Sequence, residues 1–343
     1  MTYRLSVLDQ SPIAQGSNAA QAVRNTLDLA QTADRLGFHR YWLAEHHASR
    51  SLAGVAPEAL IGPVALATNR IRVGSGGVML PHYSPFKVAE TFSLLSAMAP
   101  GRIDLGLGRA PGSDQRTAFA LQRDRSKRMA SDFPEQLDEL TAYLEGTMPE
   151  DHAFASLQHL MPTGGGIPEL WMLGSSPDSA IWAAERGLPY CFADFINSDG
   201  AHLAQHYRRS FRPSARLAQP YVMAATWSIA APTSDEAERL AAPARMMFAH
   251  LVAGTPIPVP SVEEALAWLD ANPSANRRQR RTVLGTPAEV RRGLDEVASE
   301  YGADELMLVN ILPDHAARRR SYELVAVEYG LASTAEAAAL ITS

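Results

Sequence analysis

The 343-residue sequence predicts a (β/α)8 TIM barrel, an eight-stranded parallel sheet wrapped by helices. Short apolar runs alternate with longer segments of helical period, the pattern of βαβ units around a parallel sheet. Eight such runs are present, whereas a doubly wound sheet more often stops at about five or six strands. A barrel needs about 250 residues. The remainder falls into three insertions, near 108–127, 145–168 and 254–281, within a single domain spanning 1–343.

The first strand is Leu5-Ser6-Val7-Leu8. Its helix carries Ala22, Thr26, Leu29, Ala33 and Leu36 at spacings of three and four, and stops at Gly37, a C′ residue. Tyr41-Trp42-Leu43-Ala44 is the second strand, with its helix over 59–67. Ile71-Arg72-Val73 opens the third, followed by a helix with Val88, Phe92, Leu95 and Ala99 on one face. Pro100-Gly101 turns into the fourth, Ile103-Asp104-Leu105-Gly106-Leu107. Strands five to eight are read at 170–173, 190–193, 221–229 and 306–309. A helix over about 177–186 follows the fifth. One carrying Val290, Leu294, Val297 and Tyr301 precedes the eighth.

Lys and Arg number 31 against 37 Asp and Glu, a net charge of −6. That balance argues against a nucleic-acid or membrane-surface binder, which would show a basic face. The one cysteine, Cys191, excludes an intramolecular disulfide framework and a multi-cysteine metal site. The longest uncharged stretch, 217–234, is interrupted by Gln219, Pro220 and Pro232 and reads as a buried strand with flanking loops. No basic-then-apolar targeting pattern is visible, so the expectation is a soluble, cytoplasmic protein. Within 254–281 a short helix near 262–269 precedes Arg277-Arg278-Gln279-Arg280-Arg281. That run reads as a solvated loop, with a lid meeting an anionic cofactor as the alternative.

Barrel enzymes place their chemistry at the C-terminal strand ends. Those positions hold Asp9-Gln10, Glu45-His46-His47, Ser75-Gly76-Gly77, Gly108-Arg109, Gly174-Ser175-Ser176, Asp194, Trp227 and Asn310. Only one of the two adjacent histidines can share a strand face with Trp42 and Ala44. Histidine there suits acid/base work. Adjacent histidines chelate zinc poorly and no H-E-x-x-H helix exists, so no metal is expected. The three glycines Gly74, Gly76 and Gly77 allow close approach of a ligand, or form a bulge. Gly106-Leu107-Gly108-Arg109-Ala110-Pro111-Gly112 is a poor dinucleotide fingerprint, but it places one cation, Arg109, for a phosphate. Ser176 and Pro177 read as N-cap and N1 of a helix whose free N–H groups, with Ser175, Ser176 and Ser179, suit the same phosphate. Asp178 works against an anion there. Thr286 and Glu289 form a self-sufficient capping box.

Taken in order, these pieces resemble the bacterial luciferase-like monooxygenases. The matching segments are Tyr41 through His47, Val73-Gly74-Ser75-Gly76-Gly77-Val78-Met79-Leu80-Pro81 and Gly101 through Arg109. A fourth joins Leu173-Gly174-Ser175-Ser176 to Ala183-Ala184-Glu185-Arg186-Gly187-Leu188-Pro189. The resemblance implies a homodimer that binds reduced FMN, delivered by a separate flavin reductase, at the barrel mouth. It implies O2 activation through a hydroperoxyflavin and oxidation of a small aldehyde, sulfonate or secondary-metabolite intermediate. His46 matches the catalytic histidine, with Glu45 and His47 beside it. Gly76-Gly77 matches a non-prolyl cis peptide under the flavin ring. Gly108 lies next to the ring, and Arg109, Ser175, Ser176 and Ser179 match phosphate-holding positions. Gly108 stands where some members carry cysteine, so a cysteine-dependent step is not implied, and Cys191 does not replace it. The alternatives are a deazaflavin-dependent hydride-transfer oxidoreductase and, in another class, a non-catalytic flavin-binding or partner protein.

Overall fold

A computed structural model describes residues 3–109, 114–121, 132–273 and 281–332. Its strands are β1 (Arg4–Asp9), β2 (Arg40–Leu43), β3 (Arg72–Met79), β4 (Ile103–Gly108), β5 (Glu169–Gly174), β6 (Tyr190–Phe192), β7 (Val222–Ala230), β8 (Thr282–Gly285) and β9 (Glu305–Val309). β1 to β7 and β9 close into a parallel ring, with β1 beside β9, β9 beside β7, and β7 beside β6. The fold is the expected (β/α)8 barrel, with one strand more. β7 runs past the ring, and its last four residues pair with β8, Trp227 opposite Thr282 through Ala230 opposite Gly285. Thr-Val-Leu-Gly is too short to show a period, which hid β8 in the sequence.

The helices are α1 (Ala19–Leu36), α2 (Pro57–Ala67), α3 (Pro85–Met98), α4 (Gln115–Leu121), α5 (Phe133–Glu145), α6 (Pro177–Glu185), α7 (Ala201–Ser210), α8 (Ser234–Val252), α9 (Val262–Ala271), α10 (Pro287–Tyr301) and α11 (His315–Glu328). α1 buries the whole expected stripe of Ala22, Thr26, Leu29, Ala33 and Leu36. Asn18 caps its start, and Gly37 ends it at φ +87°, a conformation that suits glycine. Thr286 and Glu289 form the capping box of α10. Among the described residues no helix is long and apolar enough to cross a membrane.

Strand alternation sorts side chains into two cores. Leu5, Val7, Tyr41 and Leu43 pack outward on the helices. Leu8, Trp42, Ala44, Trp171, Cys191, Met223 and Met307 fill the barrel. The N-terminal end of the barrel is closed by charge rather than hydrocarbon. Arg40 reaches Asp104 at 2.9 Å, Glu169 at 3.1 Å and Glu305 at 3.2 Å, and its guanidinium carbon lies 4.7 Å from the Trp171 ring centroid. Arg72, Ser6, Tyr221 and the Trp42 indole N–H complete the set.

The insertions separate by face. The segment 145–168 leads from α5 into β5, and Gly165 lies directly on the Ser96–Ala97 backbone at the end of α3. It therefore belongs to the N-terminal face, away from the strand ends. The segment after α8 crosses to the other face, where the Val259 N–H donates to Ile13 at 2.9 Å and Val259 joins the barrel-interior core. Ala110-Pro111-Gly112, much of the 108–127 insertion, and Arg277, Arg278, Gln279 and Arg280 lie outside the described residues.

Candidate active site at the strand C-termini

The end of β2 supplies the acid/base cluster. Trp42 and Ala44 face the barrel interior, and the next residues fold back so that the His46 N–H donates to Gly54 O at 2.7 Å. Glu45 is buried and its carboxylate is held at both oxygens. Oε1 accepts from His47 Nε2 at 2.7 Å and from the Tyr83 hydroxyl at 2.9 Å. Oε2 accepts from the Met79 N–H at 2.9 Å. Glu45 thus fixes its neighbours rather than facing a ligand. His46 differs: its Nδ1 is buried with no hydrogen-bond partner. Burial, with His47 beside it, pushes its pKa down to about 4. A neutral imidazole with an unspent nitrogen is suited to accept a proton from a bound group. Tyr83 went unread in the sequence; a one-turn helix, Leu80–His82, swings it back, and no periodicity marks that.

Beside this cluster the Gly76–Gly77 peptide is cis, and the β3–β4 register shifts between Ser75 and Val78. The irregular-strand reading of the glycines therefore holds. A Cβ on Gly76 would lie 2.7 Å from Leu8 Cδ1 and 3.1 Å from Trp42 Cβ; one on Gly77 would lie 2.7 Å from Gly106 O. These positions take no side chain. Gly108 is less confined, since a Cβ there would meet only the Met79 thioether at 3.3 Å.

A third corner forms between β4 and β5. Arg109 Nη1 donates to Asp178 Oδ2 at 2.8 Å, and its guanidinium carbon lies 5.2 Å from the Trp182 ring centroid. Ser176 is the N-cap of α6 with Pro177 following, yet its hydroxyl makes no capping bond. The Ser175 and Ser176 hydroxyls make no hydrogen bond to any described residue, which leaves them open to a ligand. Ser179 differs from the sequence reading of its hydroxyl. It is buried and donates to Ser176 O at 2.7 Å, with Tyr190 Oη 3.2 Å away. Ser179 therefore shapes the turn.

Several of the strand-end residues face away from the barrel mouth. Asp9 lies on the outward face of β1 and is buried against Arg318 at 2.8 Å, the Tyr41 hydroxyl at 2.5 Å and the Ser11 N–H at 2.7 Å. Burial opposes its charge, but Arg318 and Tyr41 outweigh that and hold its pKa below the usual carboxylate value. Asn310 Oδ1 accepts from Arg318 Nε at 3.1 Å. Asp194 accepts from Thr226 at 2.8 Å and Tyr301 at 2.9 Å, and burial raises its pKa. All three are structural. Trp227 is buried in the barrel-interior cluster, packed on Phe195 at 6.0 Å and Phe248 at 5.3 Å between centroids. Gln10 is buried. Among the described residues no group of three or more His, Cys, Asp or Glu side chains could hold a metal ion.

Comparison with known proteins follows the same lines. The family model described as luciferase-like monooxygenase matches residues 3–305. A luciferase-like monooxygenase of Escherichia coli is 41% identical over 329 residues, covering 94% of this chain and 96% of its own. The N-acetyl-S-alkylcysteine monooxygenase of Bacillus subtilis is 39% identical over 328 residues, covering 94% and 97%. The crystal structure of apo-MsnO8 superposes with a TM-score of 0.87 at 38% identity, covering 96% of this chain and 98% of that one. The FMN complex of the oxygenating constituent of 3,6-diketocamphane monooxygenase from Pseudomonas putida shares the fold, with a TM-score of 0.72 at 20% identity and coverage of 97% and 98%.

Proposed function

The chain belongs to the luciferase-like monooxygenase family, and from that premise we propose that it is an FMN-dependent monooxygenase acting on a small organic substrate. The observation that carries the reading is the grouping of three features at one end of the barrel. These are the orphaned His46 Nδ1, the side-chain-free Gly76–Gly77 edge, and the Arg109–Ser175–Ser176 corner. They fit a flat, phosphate-tailed group. Arg109, Ser175, Ser176 and the first N–H groups of α6 would hold the phosphate, with Ser179 fixing the turn that presents them. Gly76, Gly77 and Gly108 would put backbone without side chains beside the ring.

Reduced FMN, when bound, supplies the two electrons that O2 needs to deliver one oxygen atom to the substrate. His46 would accept or return a proton at Nδ1, and Glu45 would hold His47 and Tyr83 in register behind it. Trp227, Ala44, Leu52 and Val259 belong to the apolar cluster at the same end of the barrel and would help keep water from the reacting groups. The reduced flavin would come from a separate reductase, because the sequence offers no nicotinamide fingerprint. A homodimer fits the outer face of α2, where Ala59, Pro63 and Leu66 are exposed beside Leu94 and Met98 of α3. Sedimentation of the purified protein tests that assembly.

The decisive experiment supplies FMN, a flavin reductase, NADH and isotopically labelled O2. The substrate panel holds aldehydes, sulfonates and thioethers, the last because one relative is named for S-alkylcysteines. Labelled product with wild type and its loss in His46→Ala are expected. Reduction or oxidation without label, or exclusive binding of the deazaflavin, would replace the reading with hydride transfer. Absence of turnover across the panel despite FMN binding would favour a non-catalytic flavin carrier.

A further inference from the structure

Asp178 is a carboxylate placed where the proposed phosphate would go. It follows Pro177 in the first turn of α6, at the positive end of the helix, where any anion gains from the unpaired N–H groups. It is also the charged partner of Arg109 among the described residues, at 2.8 Å. The pair is accessible, with the Arg109 side chain 40% and the Asp178 side chain 50% exposed. The guanidinium keeps a second hold, the Trp182 ring, which itself stacks on Phe133 at 5.1 Å and 29°. Arg109 can therefore leave Asp178 without losing its position. Ser175 and Ser176 stand at the same turn with their hydroxyls uncommitted among the described residues.

We infer that Asp178 is a resident counter-anion that competes with the cofactor's phosphate for Arg109 and the α6 N-terminus, and so holds flavin affinity low enough for exchange. The inference rests on the proposed flavin reading and extends it to regulation of the same site. A phosphate entering this corner must take Arg109 from a carboxylate that then remains nearby with a like charge. Both effects weaken a phosphate-bearing flavin, and neither touches the isoalloxazine ring. Such a site suits a flavin that arrives reduced from another protein and departs oxidised.

The test is equilibrium binding of FMN and riboflavin, by flavin fluorescence, to the full-length wild type and the Asp178→Asn variant. Asparagine keeps the size and an acceptor oxygen but removes the charge. For a half-exposed pair, FMN should bind roughly two- to five-fold more tightly to D178N. Riboflavin should bind equally to both proteins, and Asp178→Glu should resemble wild type. The gain should shrink at high salt, since screening weakens the lost repulsion. A structural role confined to the helix start would move both flavins together and would appear as a lowered melting temperature. Unchanged or weaker FMN binding to D178N, or an equal change for riboflavin, overturns the inference. If FMN and riboflavin both fail to bind wild type while the deazaflavin binds, the FMN reading falls. The same ratio, taken for the deazaflavin with and without its phosphate-bearing tail, then decides the role of Asp178. Failure of every flavin to bind would defeat both.

Discussion

Acid should destabilise the protein through His46 in a way that a single substitution removes. The unpartnered, buried Nδ1 and the neighbouring His47 hold the pKa of His46 at about 4, against 6.5 for an ordinary histidine. The unfolded chain therefore takes up a proton before the folded one does. A histidine whose folded pKa is depressed contributes its stability fully above the unfolded value and loses it as pH falls through 6.5 towards 4. The whole displacement corresponds to at most about 3 kcal/mol, and about 2 kcal/mol is already gone near pH 5. His39 behaves the same way, since burial lowers its pKa to about 4 as well. The measurement is therefore a difference: urea unfolding of wild type and His46→Gln at about pH 7.5 and about pH 5. Wild type should lose about 2 kcal/mol more than the variant over that span. Parallel losses in the two proteins, or a ring titration by NMR centred at the ordinary histidine value, would refute the reasoning. The same depressed pKa keeps His46 neutral at neutral pH, the state in which it can accept a proton during turnover.

Two further outcomes test the barrel that carries the site. Arg40→Met leaves Glu305 buried without its cation, while Asp104 keeps Arg72, and should cost about 3 kcal/mol in urea unfolding; a loss below about 1 kcal/mol would show that the floor tolerates a bare carboxylate. Cys191 lies inside the barrel, and burial pushes its thiol pKa far up, so iodoacetamide should label it only as fast as the native protein opens. Prompt labelling of folded protein would place the thiol in contact with solvent.

The eight ring strands are legible because parallel strands buried on both faces read as apolar runs, and each is set off by a helix of different period. Position along a strand is less informative than face. Asp9, Asp194 and Asn310 stand at strand ends, where barrel chemistry gathers, but alternation decides their role. Asp9 shares the outward face of β1 with Leu5 and Val7, so it meets Arg318 of α11 and not the mouth. Trp42 and Ala44 face inward, and beyond the strand Glu45 and His47, grouped in the sequence reading, are joined at 2.7 Å. Asp104 shows what one segment cannot reveal. An aspartate inside Ile103-Asp104-Leu105 must find a buried cation, because an unpaired charge in that position would not stay ionised. The sequence states that requirement, yet Arg40, Glu169 and Glu305 come from three other strands, and only closure of the ring brings them together. The Arg109–Asp178 pair follows the same logic at the opposite face. Asp178 reads in isolation as an obstacle to an anion, and only the folded chain sets its carboxylate 2.8 Å from Arg109, a partner that its own segment does not disclose.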